Sequence, residues 1–225
     1  MSAVADNLKG VQERIAAAAE RSGRRADAIT LIAVTKKQPA SALREAQAAN
    51  ITDVGENYVQ ETIEKQEFWG PSQQPVRWHL IGHLQSNKAA LAVTLFDLIQ
   101  SVDSVKLAAA LGKHAQLAGK TQDILLQVHL GDEPTKTGLP PEQAMDAAAE
   151  IAGLPGITLH GLMGIAPFGT EPRPYFQELR RLLESLPSAN RRVLSMGMSG
   201  DFETAIEEGA TMVRIGTAIF GTRSS

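Results

Sequence analysis

The sequence predicts an α/β protein: a single (β/α)8 TIM-like barrel over residues 1–225, with an extra helix at its N-terminus. Three observations carry this. Short aliphatic runs of strand length alternate with stretches of helix length from residue 31 onward, the pattern of βαβ units and a parallel sheet. The runs number eight, which suggests closure, with a doubly wound open sheet as the alternative. Polar clusters recur just after the strands and not before them, as expected where a barrel gathers its functional groups at the C-terminal mouth.

The elements follow in order. Val4, Leu8, Val11 and Ile15 recur at three- and four-residue steps, the stripe of an amphipathic helix that ends near Gly23. The candidate strands are LIAVT (31–35), ITDV (51–54), RWHLIG (77–82), DLIQS (97–101), DILLQVHL (123–130), ITLHGLM (157–163), RVLSM (192–196) and TMVRIG (211–216). Between them lie helical stretches such as SVKLAAALGKHAQLAG and PYFQELRRLLESL. Ser104 is placed to N-cap, Pro141 to open a first turn, and Gly119 and Gly153 to follow last turns. No Gly/Ser-rich linker or charge run divides the chain, so one domain is expected.

Composition narrows the function. Hydrophobic residues make up 43% of the 225, enough for a sizeable core and against disorder. A net charge of −3 gives no electrostatic reason to expect nucleic acid or an anionic membrane. The absence of cysteine excludes disulfides, thiolate zinc sites and cysteine nucleophiles, and fits a reducing compartment. The N-terminus has no apolar run of signal-peptide length and no segment has the apolar length of a membrane span. A soluble, cytoplasmic protein is expected.

Lys36 ends the first strand. If Ile32 and Val34 point into the barrel, strand alternation turns Lys36 inward at the rim and Lys37 outward. Low-dielectric surroundings disfavour a charged amine, and a neutral amine is a nucleophile suited to a Schiff base with an aldehyde or ketone. A snorkelling or ion-paired lysine is the alternative. Near the other end, Gly197 and Gly200 flank Ser199, and Gly216 and Thr217 follow the last strand. Loops after strands 7 and 8 form a common phosphate site in such barrels, although glycine turns also occur there for purely structural reasons. Arg214 shares parity with Met212 and Gly216 and should face inward, toward a ligand or an ion-pair partner such as Glu56, Asp103 or Asp201. His79 could line the site or hydrogen-bond within the core. His79 and His83 lack a third ligand, so no metal site is expected. Met163, Met196 and Met198 read as gap-fillers. An aldehyde for Lys36, a phosphate for the late loops and an aromatic nitrogen for Arg214 converge on pyridoxal 5'-phosphate. An arginine facing the pyridine nitrogen discourages its protonation and makes the ring a poorer electron sink.

The segments AVTKKQP, VGENYVQE, WHLIGHLQSNK, GLMGIAP and LSMGMSGDFETAIEEGATMVRIGTAIFG resemble the pyridoxal phosphate homeostasis protein family over essentially the whole chain. More distantly, the chain is similar to the N-terminal barrel of fold-type III enzymes such as alanine racemase. The resemblance implies Lys36 as the Schiff-base lysine and Arg214 at the pyridine nitrogen. It further implies Ser199, Gly216 and Thr217 at the phosphate, Asn57 and His79 lining the site, and Lys136 influencing cofactor handling. His83 stands where relatives often have proline. A racemase of this class needs a second acid/base, a tyrosine from an additional domain of the partner subunit. Here the tyrosines are Tyr58, in the helix after strand 2, and Tyr175, in the strand 6/7 connection, and the chain ends soon after strand 8. A non-catalytic, monomeric protein is therefore expected, binding pyridoxal phosphate and exchanging it with cofactor-dependent apoenzymes. A low-activity racemase or lyase is the alternative, and an aldolase-type lysine without cofactor is disfavoured.

Overall fold

The computed structural model describes residues 3–70, 73–131 and 137–221. Among them, eight parallel strands close into a barrel in simple chain order, each hydrogen-bonded to the next and the last to the first. The strands are β1 (Thr30–Val34), β2 (Asp53–Glu56), β3 (Arg77–Leu80), β4 (Leu98–Val102), β5 (Gln122–His129), β6 (Ile157–Ile165), β7 (Val193–Ser195) and β8 (Met212–Ile215). All eight overlap the runs read from the sequence, β2 by only two residues, since it lies at Asp53–Glu56 and not 51–54.

Helices α2 (Ser41–Ala48), α3 (Val59–Trp69), α4 (Ala89–Leu95), α5 (Val105–Leu117), α6 (Pro141–Ala152), α7 (Arg173–Ser185) and α8 (Phe202–Glu207) connect successive strands. The short α9 (Thr217–Phe220) follows β8. The predicted signals operate: Ser104 Oγ accepts the Leu107 N–H at 3.2 Å, Pro141 is the first residue of α6, and Gly119 takes a φ of 68° just past α5. Tyr58 lies one residue before α3 rather than within it, because its extended backbone forms the N-cap.

The extra helix α1 (Ala3–Arg21) buries Leu8, Val11 and Ile15 against the outer core and lies on α8 and α9. Asn7 donates to the Ile219 carbonyl at 2.9 Å, and Arg24 to the Ala210 carbonyl at 2.8 Å. Asn7 thus ties α1 to α9 at the mouth, and Arg24 ties the chain after α1 to the connection between α8 and β8 at the opposite end.

Two cores result. A large shell of aliphatic residues fills the space between strands and helices. Inside the barrel a small cluster of Ile32, Leu98, Leu125, Met163 and Met212 packs by itself. Beside it lie the polar residues Asp53, His79, Gln100, Ser195 and Arg214, all buried. A barrel interior filled by side chains is a core and not a pore, so each of these polar groups must find a partner.

Candidate functional site

The turn after β1 sets the site. The Thr35 carbonyl accepts the Gln38 N–H at 2.9 Å, so Lys36 and Lys37 are the central residues of a four-residue turn. Lys37 takes a φ of 59°, a left-handed conformation that costs a non-glycine residue roughly 1–2 kcal/mol. Its N–H donates to Glu61 Oε1, which helps to hold it there. Lys37 is left exposed, while Lys36 is half-buried in the wall of a cavity at the mouth.

That cavity has a volume of about 380 Å³, ordinary for a small-molecule site. It brings together Lys36, Asn57, Ser199, Arg214, Gly216 and Thr217, six residues singled out from separate parts of the sequence. Ile165 and Ile81 supply apolar wall, and Phe168 stands at the rim, 96% exposed. Met198 departs from expectation. Met163 and Met196 are fully buried gap-fillers, but Met198 is 38% exposed and lines the cavity. It sits beyond the end of β7 on a loop whose direction is set by its own N–H, donated to Asp201 Oδ1 at 2.6 Å.

The late loops form one surface. Gly197 takes a φ of 91°, and a Cβ there would stand 2.5 Å from the Ala205 Cβ, so only glycine lets this loop fold onto α8. Ser199 Oγ accepts the Ala218 N–H at 3.2 Å, tying the β7–α8 loop to the start of α9. The hydroxyls of Ser199 and Thr217 and the backbone at Gly216 therefore share one side of the cavity.

Arg214 is fixed from below. Its Nη1 donates to Ser195 Oγ at 2.6 Å and its Nη2 to the Gly164 carbonyl at 2.9 Å. Burial pulls the guanidinium down to about 10, the charge of Asp201 opposing, so it stays protonated at neutral pH. Of the ion-pair partners weighed from the sequence, Asp201 is the one whose charge acts on it. Glu56 is engaged by Lys65 at 2.6 Å and Asp103 by His83 at 3.2 Å. Burial likewise raises the Asp201 carboxyl, against its Met198 hydrogen bond and the Arg214 charge.

His79 does not line the cavity. It is wholly buried inside the barrel, between Asp53 Oδ1 at 2.8 Å and Gln100 Nε2 at 3.0 Å. Of the two roles open to it from the sequence, the structure gives the hydrogen bond within the core: His79 sits on β3 itself, whereas Ile81 beyond the strand end reaches the cavity. Lys136 lies outside the described residues. No cluster of metal-ligating side chains occurs among the described residues.

Sequence reading missed two groups. One is the interior set Asp53, Gln100 and Ser195, polar residues on β2, β4 and β7. The signal was there: three inward positions on three strands, all polar. The other lies between the barrel and α3. Lys65 Nζ donates to Glu56 Oε1 at 2.6 Å, to Glu61 Oε1 at 2.7 Å and to the Thr35 carbonyl, and the Thr35 hydroxyl also donates to Glu56 Oε1. Thr35 and Lys37, the neighbours of Lys36 on either side, are thus both anchored on this cluster. Glu61 and Lys65 four apart on a helix read as an ordinary surface pair, and nothing local reveals that Lys65 is buried.

The donor set suits pyridoxal phosphate. A primary amine, a buried guanidinium and a hydroxyl-bearing loop surface face one cavity, and among the described residues no carboxylate lines it. Asn57 Oδ1 is buried without a hydrogen-bond partner among the described groups, an open polar position in the wall.

Residues 6–224 match the family model of the alanine racemase N-terminal domain. The chain is 41% identical to the pyridoxal phosphate homeostasis protein of Pseudomonas aeruginosa, covering 99% of this chain and 97% of that one. It is 40% identical to that of Escherichia coli, covering 99% and 98%. Among solved structures, PipY of Synechococcus elongatus with pyridoxal phosphate bound superposes with a TM-score of 0.83 at 38% identity, covering 97% of this chain and all of that one. An alanine racemase from Clostridium difficile shares the fold alone, with a TM-score of 0.75 at 16% identity over 98% of this chain and 57% of that one. With a cavity built on Lys36 and Arg214 and relatives of this closeness along its whole length, the chain belongs to the pyridoxal phosphate homeostasis protein family.

Proposed function

We propose that this protein holds pyridoxal 5'-phosphate in the mouth cavity as a Schiff base on Lys36. Its role is intracellular vitamin B6 homeostasis and, through it, amino-acid balance, without substantial catalysis. The observation that carries this reading is a cavity wall that combines Lys36 with the buried, protonated Arg214 and contains no carboxylate among the described residues. The cofactor supplies an aldehyde. The Lys36 amine adds to its carbon and one water leaves, forming the C=N bond. Arg214 donates toward the pyridine nitrogen, while Ser199, Gly216 and Thr217 receive the phosphate and Asn57 contacts the ring.

The same wall argues against racemisation, which needs a proton-exchanging group on each face of a substrate carbanion. Lys36 and Arg214 are the ionisable groups among the described wall residues, and Arg214 is committed to Ser195 and Gly164. A mouth bounded by the exposed Phe168 suits loading and release.

Borohydride reduction of the protein mixed with pyridoxal phosphate, followed by peptide mass spectrometry, tests the reading. Label on Lys36 is expected. Lys36→Ala should abolish the label while changing unfolding stability by less than about 1 kcal/mol, since a half-exposed lysine contributes little packing. Label on another lysine, or loss of folding in the variant, would overturn the assignment.

A further inference from the structure

Arg214 is one end of a buried chain that crosses the barrel. Its Nη1 donates to Ser195 Oγ at 2.6 Å, and the Ser195 hydroxyl donates to Gln100 Oε1 at 2.6 Å. The Gln100 amide stands 3.0 Å from His79 Nδ1, and His79 Nε2 stands 2.8 Å from Asp53 Oδ1. The link from Gln100 on β4 to Ser195 on β7 joins strands that are not neighbours, so the chain spans the lumen. His79, Gln100 and Ser195 are fully buried, and Arg214 and Asp53 nearly so.

The two ends fix the direction of every link. A guanidinium only donates and an ionised carboxylate only accepts. Burial pushes the Asp53 carboxyl up, but hydrogen bonds from His79 and Thr52 and the nearby Arg77 charge act against it and the net shift is downward, so Asp53 is ionised at neutral pH. Ser195 receives a proton from Arg214 and must pass its own to Gln100 Oε1. The Gln100 amide then donates to Nδ1, and Nε2 carries the imidazole proton toward Asp53. The opposite setting of the Gln100 amide would aim two donors at Ser195 Oγ and remove the acceptor that the Ser195 proton uses.

We propose that Gln100, His79 and Asp53 are positioning residues for Arg214, acting through Ser195 as a one-way row of donors. The row holds the guanidinium so that its remaining N–H groups point into the cofactor cavity. Resting on the cofactor reading above, this gives His79 a role at the pyridine end of the site without contact to it.

Two measurements test the row. Long-range 15N–1H NMR of the cofactor-free protein at pH 7 should show His79 as the Nε2–H form. In Gln100→Glu the second carboxylate oxygen faces Nδ1, and His79 should carry both protons. A wild-type Nδ1–H form, or unchanged His79 signals in Gln100→Glu, would overturn the row. The dissociation constant for pyridoxal phosphate is the second readout. Gln100→Leu, which cuts the row and leaves the Ser195 hydroxyl proton and His79 Nδ1 without partners, should raise it about tenfold. Gln100→Glu restores an acceptor for Ser195 and should recover most of that loss. Should Gln100→Leu fold poorly, Ser195→Ala, a smaller change, takes its place and should raise the constant by a similar factor. Equal losses in Gln100→Leu and Gln100→Glu would overturn the row while the cofactor reading stands. A wild-type protein that binds no pyridoxal phosphate would overturn the cofactor reading itself, whatever form His79 takes.

Discussion

Beneath Arg214 the barrel interior holds a row of mostly neutral groups, each link with one donor and one acceptor, whereas beneath the Lys36 turn the fold buries full charges. In the row from Arg214 to Asp53, donors and acceptors alternate and the cation and anion stand at opposite ends. Between β2 and α3, Lys65 is surrounded by Glu56, Glu61 and the Thr35 carbonyl, and Glu56 Oε2 has no hydrogen-bond partner among the described groups. The two networks do different work. A neutral row sets direction, because reversing one link would force its neighbours to reverse. A charge cluster sets position, because a buried cation draws every nearby acceptor inward. Arg214 needs aim; Lys36 needs a backbone turn held in a conformation that Lys37 resists.

The difference is broken most sharply at Lys65. Replacement by Met removes the only cation within bonding distance of Glu56 among the described residues and leaves that carboxylate buried without a counter-charge. Loss of one partner of a buried pair costs about 3–5 kcal/mol, and urea unfolding should show a loss of that size. The double variant Lys65→Met with Glu56→Gln should be more stable than Lys65→Met alone, because the stranded charge goes too. A double variant as unstable as the single one would mean that Lys65 acts by packing rather than by charge.

The neutral row should yield less. In Gln100→Leu no full charge is stranded beside the substitution, only the hydroxyl of Ser195 and one nitrogen of His79. A buried polar group left unsatisfied costs about 1–3 kcal/mol, so the unfolding loss should fall below that of Lys65→Met. The opposite ranking would show that the row, and not the charge cluster, carries the greater part of the electrostatic stability.

Legibility in the sequence divides along the same line. All eight strands were readable because a parallel strand buried on both faces is a short aliphatic run whatever it packs against. The mouth was readable too, since Lys36, Ser199 and Gly216 each follow the end of a strand, where parity and position suffice. Gln100 and Ser195 were not, because their roles exist only across a lumen that joins β4 to β7, 95 residues apart. His79 shows the limit from the other side. Its place on a strand left both a site-lining and a core role open, and depth separates a wall residue from one buried within the row. Lys65 was hidden for the same reason: on a helix, a lysine four residues after a glutamate looks alike whether it faces water or the barrel.

The finest separation of the two networks is their pH dependence, which runs in opposite senses. Asp53 has its carboxyl lowered on folding, by hydrogen bonds and charges that together outweigh burial. A lowered acid stabilises the fold above its unfolded value of about 4, and that contribution is lost as pH falls through the folded value. Glu56 has its carboxyl raised, because burial outweighs the Lys65 charge and the Lys65 and Thr35 hydrogen bonds. A raised acid favours the fold in its protonated form, so its contribution is present below about 4 and is lost as pH rises through the folded value. Asp53→Asn should therefore flatten the decline of unfolding stability on the acid side, and Glu56→Gln should flatten a decline on the way up from acid to neutral pH. The changes are set against Lys65→Met as the smallest of the series, and unfolding curves collected between pH 3 and 7 resolve them by slope rather than by size. Slopes altered in the same sense by both variants would mean that Glu56 gains more from Lys65 than burial takes from it, and that the charge cluster stabilises the fold as an ion pair rather than merely locating the Lys36 turn.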